Sequence, residues 1–126
     1  MTPTEKQFFK KLCKAVEPLN VVVAPQVAMS AIVDVPRQFN ENKFRHKNRA
    51  GFAQKRLDFV LLDIKSLEPI LVVELDDPSH DGREFEDSRR DDILAETGHP
   101  LLRIDVRENL TTEQLAQRVL DDLMRG

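Results

Sequence analysis

The first apolar pattern lies near the N-terminus. Its residues recur at helical spacing and form one stripe, made of Phe8, Phe9, Leu12, Cys13 and Val16. This spacing predicts an amphipathic helix with one face in the core. Thr2 suits the N-cap, Pro3 the first helical position and Glu5 the capping-box position. Pro18 and Asn20 are residues that end a helix, so the predicted helix stops before them.

The next apolar runs predict strands. Residues 21–24 and 27–35 are two such runs separated by a proline, and they predict a first strand or a broken pair of strands. Residues 57–64 and 70–76 are continuous apolar runs separated by a short turn at 66–69, which predicts a hairpin. Because both runs are almost wholly apolar, we expect the sheet to be covered on each face.

The last third of the chain predicts helix, strand and helix. Residues 81–97 form a highly charged predicted helix, and Gly98 sits where a C-terminal cap belongs. Residues 101–106 predict a strand. Thr111 with Gln114 makes a second capping box before a final helix. The expected core face of that helix is Leu115, Ala116, Val119, Leu120, Leu123 and Met124. The order α-β-β-β-α-β-α predicts one α/β domain over residues 1–126.

Composition narrows the class of protein. The chain is 40% hydrophobic and 33% charged, which is typical of an ordinary folded protein rather than a disordered or fibrous one. No apolar run approaches the length of a membrane span, so no membrane is expected as a partner. Cys13 is the only cysteine and cannot form an internal disulfide, so we expect a cytoplasmic protein. The scattered glycines and histidines match neither a phosphate-binding loop nor a zinc site.

Charge is distributed unevenly along the chain. Residues 37–56 contain seven Lys or Arg and one acid, about +6 by count, within a predicted long loop at 36–56. Residues 74–96 contain ten acids and three bases. A basic segment beside an acidic pocket suits a protein that holds a phosphate backbone and delivers a cation to it. A solvated basic loop and a solvated acidic helix would give the same counts, so charge alone leaves both interpretations open.

Three acids stand at strand ends. Asp58 is the second residue of one predicted strand, and Glu74 and Asp76 close the next. Side chains alternate faces along a strand, and a hairpin puts the start of one strand beside the end of the other. Asp58 and Glu74 can therefore meet at one edge of the sheet, where a divalent cation such as Mg²⁺ or Mn²⁺ would offset their repulsion. The alternative is that these acids simply point into solvent.

Several segments together resemble a known family. They are LDFV (57–60), VELDDPSH (73–80), RD (90–91) and LLRI (101–104), with TEKQFF (4–9) and APQV (24–27) upstream. This combination resembles a bacterial domain family of unassigned function. That family is similar to the very-short-patch mismatch-repair endonucleases, within the PD-(D/E)-x-K, or restriction-endonuclease-like, superfamily. The resemblance covers nearly the whole chain.

The resemblance implies a restriction-endonuclease-like fold, with a central mixed β-sheet flanked by helices, and a site for Mg²⁺-dependent phosphodiester cleavage. Asp58 would be the motif aspartate and Glu74 the acid of the (D/E)-x-K pair. Glu5 would be the acid from the first helix, unless it serves only the capping box. Asp76 stands at the position of the motif lysine, and could instead be an additional metal ligand.

The sequence does not determine which cationic side chain would replace the motif lysine. Lys55, Arg90 and His80 are the candidates, and His80 is also explained as a surface-loop histidine. The residues expected to contact the nucleic-acid backbone are Lys43, Arg45, Lys47, Arg49, Lys55, Arg56 and Arg90.

The function that follows is hydrolysis of phosphodiester bonds in DNA, in repair or processing. The first alternative is a non-catalytic nucleic-acid-binding or accessory module that keeps the fold. A protein-interaction domain with a basic loop is the second. The expected partners are DNA and either a second copy of the chain or a helicase-like or zinc-ribbon protein.

Overall fold

The computed structural model describes residues 1–28, 31, 56–76, 98 and 100–125. Its helices are α1 (Pro3–Val16) and α2 (Thr112–Arg125), and its strands are β1 (Val21–Ala28), β2 (Arg56–Asp63), β3 (Pro69–Asp76) and β4 (Leu101–Asp105). Short 3-10 turns follow α1 at Glu17–Leu19 and β4 at Val106–Glu108. Within these residues, no helix has both the length and the apolar character that crossing a membrane requires.

Both predicted capping boxes are present. At the start of α1, Thr2 Oγ1 accepts a hydrogen bond from Glu5 N, and Glu5 Oε1 accepts one from Thr2 N, each at 3.1 Å. At the start of α2, Thr111 and Gln114 make the same reciprocal pair at 2.9 and 3.1 Å. These bonds satisfy backbone donors that the first turn of a helix leaves without partners.

The predicted core face of α2 is confirmed at Leu115, Ala116, Val119 and Leu123. Leu115 and Val119 are buried, and Leu123 packs partly buried against the core. Met124 is 78% exposed, so its assignment to the core face was wrong. With about 3.6 residues per turn, a residue nine positions after Leu115 falls on the opposite side of the helix.

The four described strands form one mixed sheet in the order β1-β2-β3-β4. β1 and β2 are antiparallel, as are β2 and β3, which confirms the predicted hairpin. β3 and β4 are parallel, and residues 77–100 between them are long enough for the crossover that parallel strands require. The mixed sheet flanked by helices confirms the predicted fold class. The predicted loop at 36–56 (apart from Arg56) and the predicted helix at 81–97 lie outside the described residues.

From Val21 to Ala28 the first strand is continuous, and the rest of the predicted run 27–35, apart from Ala31, lies outside the described residues. β1 runs through Pro25, which pairs with Phe59, and ends at Ala28. Proline is tolerated here because β1 is an edge strand of the described sheet, where a missing N–H removes no bond between two strands. Gln26 has a left-handed φ of 51°, which marks a local irregularity after the proline.

The core lies between the two helices and one face of the sheet. Phe59 is at its centre, with its ring 5.3 Å from that of Phe8 and 6.0 Å from that of Phe9, measured between centroids. On the other face, Val60 and Val72 pair across β2 and β3 and are also buried. Buried side chains on both faces agree with the cover predicted from the continuous apolar runs.

Candidate functional site

The alternation of side chains puts Asp58 and Glu74 on the same face of the sheet. Phe59, next to Asp58, and Val73, next to Glu74, belong to the core between the sheet and the two helices. Because neighbouring residues of a strand point to opposite faces, the two acids lie on the face away from α1 and α2. The same core packing that stabilises the fold therefore fixes the direction of both carboxylates.

The regular pairing of β2 and β3 ends next to the two acids. Phe59 and Val73 are a regular antiparallel pair, and the next position in that register brings Asp58 opposite Glu74. There the side chains enter the hydrogen bonding. Asp58 Oδ2 accepts a hydrogen bond from Leu75 N at 2.9 Å, and Glu74 Oε1 accepts one from Asp58 N at 3.4 Å. The structure thus brings Asp58 and Glu74 together through reciprocal bonds to backbone.

The two carboxylates differ in exposure. Glu74 is 4% exposed, whereas Asp58 is half-buried. Burying a carboxylate beside another carboxylate is unfavourable unless donors or a cation compensate. The backbone N–H groups of Asp58 and Leu75 supply part of that compensation. Asp58 is the member of the pair that solvent reaches.

The acid pair matches one type of cation site. Mg²⁺ is commonly held by one or two carboxylates, with waters and substrate phosphate completing its shell. In the described part of the chain, no three Asp, Glu, His or Cys side chains are grouped so that they could hold a metal ion. The donor set that fits is therefore the pair Asp58 and Glu74, and the role of Asp76 as a further ligand stays a prediction.

Asp76 lies at the exposed end of β3, beside Asp105, which is ion-paired with Arg107. It pairs in register with Asp105 of the parallel strand β4. Arg107 donates to both oxygens of Asp105, at 2.7 to 3.2 Å, and its backbone N donates to Oδ1 at 2.8 Å. These bonds lower the pKa of Asp105 to about 2. Asp105 in turn raises the pKa of Arg107, with a smaller contribution from Asp76.

Sequence reasoning missed Asp105 and Arg107. A strand-end aspartate followed two residues later by an arginine was the available signal, since an aspartate can accept from the backbone two positions on.

Two other predicted residues lie in the described part of the chain. Glu5 forms the capping box of α1, as one of its two interpretations stated, and its catalytic role stays a prediction. Arg56 is the exposed first residue of β2, and its Nη1 donates to the carbonyl oxygen of Gln26 at 3.4 Å. The remaining candidates lie outside the described residues, namely Lys43, Arg45, Lys47, Arg49, Lys55, His80 and Arg90.

Arg103 is a third residue that sequence reasoning missed. It is exposed in β4 and pairs in register with Glu74. The alternation of Leu102, Arg103 and Ile104 indicates which face Arg103 takes, but the register of two parallel strands joined by a long crossover has no local signal in the sequence.

A cavity of about 340 Å³ lies at the same end of the sheet, on the side of α1. Phe8, Leu75 and Ile104 contribute apolar lining, and Lys11 contributes a polar group. The Lys11 ammonium donates to the carbonyl oxygen of Leu110 at 2.7 Å. Because Asp58 and Glu74 point to the opposite face, this cavity and the acid pair are separate features.

Comparison with known proteins gives a family and no characterised relative. The profile of the family described as "Protein of unknown function (DUF2726)" matches residues 1–123. Neither a curated protein nor a solved structure matched the chain. A match over almost the whole sequence shows that the chain belongs to this DUF2726 family of proteins of unknown function.

Proposed function

We propose that the chain is a metal-dependent nuclease domain that hydrolyses phosphodiester bonds in DNA, with Asp58 and Glu74 as its cation ligands. The observation that carries the proposal is the pairing of these carboxylates at the point where β2 and β3 stop pairing regularly. The resemblance of the LDFV and VELDDPSH segments to very-short-patch endonucleases and the PD-(D/E)-x-K superfamily supports the same assignment.

For phosphodiester hydrolysis, the main contribution of the protein would be to hold the two carboxylates where they can bind the cation. A bound Mg²⁺ or Mn²⁺ would supply activation of water and would offset the charge that builds on the scissile phosphate. Glu74 contributes a buried carboxylate fixed by β3, and Asp58 contributes a half-buried one whose Oδ2 is oriented by Leu75 N. Both ligands are held by backbone of the sheet, so the site is preorganised.

We propose the substrate class from the basic segment of the sequence that ends two residues before Asp58. Arg56 is exposed two positions before Asp58, and therefore on the same face of β2. It continues the basic segment 43–56, which we propose tracks the phosphate backbone without reading sequence. Lys55, His80 and Arg90 remain candidates for a cationic group near the scissile phosphate.

One observation favours a second function, a non-catalytic nucleic-acid-binding module. Asp76, and not a lysine, stands two residues after Glu74. In addition, Asp58 and Glu74 each accept a hydrogen bond from backbone, so the pair has stabilising partners without a cation. A domain that keeps this arrangement for its fold could bind DNA without cutting it.

The test is a titration of Mn²⁺ and Mg²⁺ by calorimetry on the wild type, Asp58→Asn and Glu74→Gln. Both substitutions remove a charge but keep an oxygen that can accept the same backbone hydrogen bond, so the fold is retained. Asp121→Asn is the matched control, because Asp121 is an exposed acid on α2 that accepts from Gln117 at 2.8 Å. Nicking of supercoiled plasmid is followed in the same samples.

The nuclease proposal expects metal binding and nicking in the wild type and in Asp121→Asn, and a loss of nicking of at least about 100-fold in the two site variants. Metal binding without nicking in the wild type would favour the non-catalytic module. A wild type that binds neither Mn²⁺ nor Mg²⁺ would overturn the metal site.

A further inference from the structure

We infer that Arg103 binds the phosphate group that lies over the Asp58–Glu74 pair, and that it is the principal positive side chain of this site. The inference rests on the proposed function and adds a phosphate-binding residue to it. It depends on the row of side chains that the register of β2, β3 and β4 creates across the sheet.

Packing fixes the face that Arg103 takes. Its neighbours Leu102 and Ile104 are 7% and 2% exposed and belong to the core on the helix side. Arg103 therefore projects from the opposite face, where it is exposed. This is the face that also carries Asp58 and Glu74.

The register of β3 and β4 fixes the position of Arg103 along that face. Glu74 pairs with Arg103 in the parallel ladder of β3 and β4. Neighbouring strands lie about 4.8 Å apart, so Asp58, Glu74 and Arg103 form a row about 10 Å long. The long side chain of arginine, which ends in a planar fork of donors, matches the size and geometry of a phosphate placed over such a row.

Electrostatics gives the arginine its role. Asp58, Glu74 and Asp76 repel a phosphodiester, and a single divalent cation offsets only part of that charge. Arg107 lies in the 3-10 turn Val106–Glu108 that follows β4, and so stands outside the row. Arg56 lies toward the exposed end of β2, beyond the row. Among the arginines that the structure describes on this face, Arg103 stands in the same row as the acid pair.

A structural role for Arg103 is the competing explanation. The guanidinium could serve only to balance the charge of buried Glu74, in which case its loss would lower stability and disturb the acid pair. Phosphate binding predicts instead that DNA affinity and its dependence on salt change while the fold and the cation affinity are kept.

The experiment compares Arg103→Ala and Arg103→Lys with Arg125→Ala as the matched control. Arg125 is an exposed arginine in the last turn of α2, 3.8 Å from Asp122, so its removal changes net charge equally. For each protein, affinity for a fluorescent DNA duplex is measured in Ca²⁺ across a salt series, with Mn²⁺ affinity by calorimetry, Tm, and kcat and KM for nicking.

We expect Arg103→Ala to weaken DNA binding about 10-fold and to reduce the slope of log Kobs against log salt by about 1, the change expected for one lost phosphate contact. Nicking kcat should fall by about 10²–10³-fold, the usual effect of removing one donor to a developing charge. Arg103→Lys should recover the salt slope and part of kcat, because it restores the charge but not the fork. Arg125→Ala should resemble the wild type.

The outcomes separate this inference from the proposed function. Nicking by the wild type and equally by Arg103→Ala, with an unchanged salt slope, overturns the inference and leaves the nuclease. Absence of nicking in the wild type, together with weaker DNA binding and a smaller slope in Arg103→Ala, overturns the nuclease and supports the phosphate site. A drop in Tm and Mn²⁺ affinity with unchanged salt slope assigns Arg103 a structural role and overturns the inference.

Discussion

Asp58 and Asp105, two acids at one end of the sheet, are stabilised by different partners. Asp58 accepts a hydrogen bond from the backbone N–H of Leu75, on the strand β3 that faces it. Asp105 accepts from both the guanidinium and the backbone of Arg107. A backbone N–H donor is fixed by the sheet and carries no net charge, so Asp58 keeps the negative charge that would bind the proposed cation. An arginine largely neutralises its partner, so Asp105 is a poor cation ligand compared with Asp58.

The low pKa of Asp105 gives a prediction at the scale of a residue. Its carboxyl should titrate with a midpoint near 2 in the folded protein, chiefly because of its hydrogen bonds to Arg107. Since this folded pKa lies below the unfolded value of about 3.9, the pair stabilises the fold above pH of about 4. That contribution is lost as the pH falls toward 2.

In Arg107→Gln, the midpoint of Asp105 should rise toward its ordinary value. Carboxyl carbon shifts followed by NMR against pH measure it. Arg118→Gln is the control, because Arg118 is ion-paired with Glu108 at 2.9 Å and not with Asp105. A midpoint that stays near 2 in Arg107→Gln would contradict the assigned cause.

At the scale of elements, the hairpin of β2 and β3 is closed by its turn. Asp63 N donates to the carbonyl oxygen of Glu68 at 2.9 Å, and Leu67 N donates to that of Asp63 at 2.8 Å. The carboxylate of Asp63 accepts from the backbone N of Lys65 and of Ser66. These bonds close the turn, and a one-residue register shift between Leu61 and Leu62 then places Asp58 opposite Glu74.

Leu67 is the strained residue of this turn, with a left-handed φ of 58° and a side chain that is 61% exposed. A left-handed conformation costs a residue with a Cβ about 1–2 kcal/mol, whereas glycine adopts it freely. We expect Leu67→Gly to raise the free energy of unfolding by about 0.5–1 kcal/mol, after the larger entropy of glycine in the unfolded chain is subtracted. Urea denaturation measures the change.

Leu67→Ala is the matched variant for that prediction, since it removes the same leucine side chain but keeps the Cβ. It should be no more stable than the wild type. Equal stability of the glycine and alanine variants would show that the turn stores no strain at this position.

Elements were predictable from the sequence where their signals are local. Both capping boxes depend on residues three apart. Alternation and a short turn predicted that Asp58 and Glu74 meet, but their exact register also depends on the shift between Leu61 and Leu62, which alternation does not predict. The sequence alone allows either a single strand or a break at Pro25, because the passage of β1 through this proline depends on β1 lying at the sheet edge. The row of Asp58, Glu74 and Arg103 depends on the register of the parallel strands β3 and β4. That register is set by packing of the two strands and not by a short turn between them.

At the scale of the whole molecule, Phe59 joins the core to the candidate site. Its ring contacts Phe8 and Phe9 of α1, and its backbone neighbour is Asp58. The contact of α1 with the sheet therefore stabilises the strand that presents the more exposed carboxylate. Stability and site geometry are coupled at this position.

Phe59→Ala should lower the free energy of unfolding by about 3–5 kcal/mol, because it removes a fully buried aromatic side chain and leaves a cavity. Met124→Ala, at an exposed position of α2, should change it by less than about 0.5 kcal/mol. Urea denaturation of both variants measures these values. A loss below about 1 kcal/mol in Phe59→Ala would contradict the central place of this ring in the core.

The distances along the chain between paired strands bear on the order of folding. β2 and β3 are joined by residues 64–68 alone, whereas residues 29–55 separate β1 from β2 and residues 77–100 separate β3 from β4. Closing a short loop costs less entropy and happens sooner than closing a long one. We therefore expect the hairpin to form first, and with it the two neighbouring carboxylates. A refolding chain would then carry this pair before Arg103 arrives. If the pair binds a divalent cation as we propose, divalent cations in the refolding buffer should speed the formation of the hairpin.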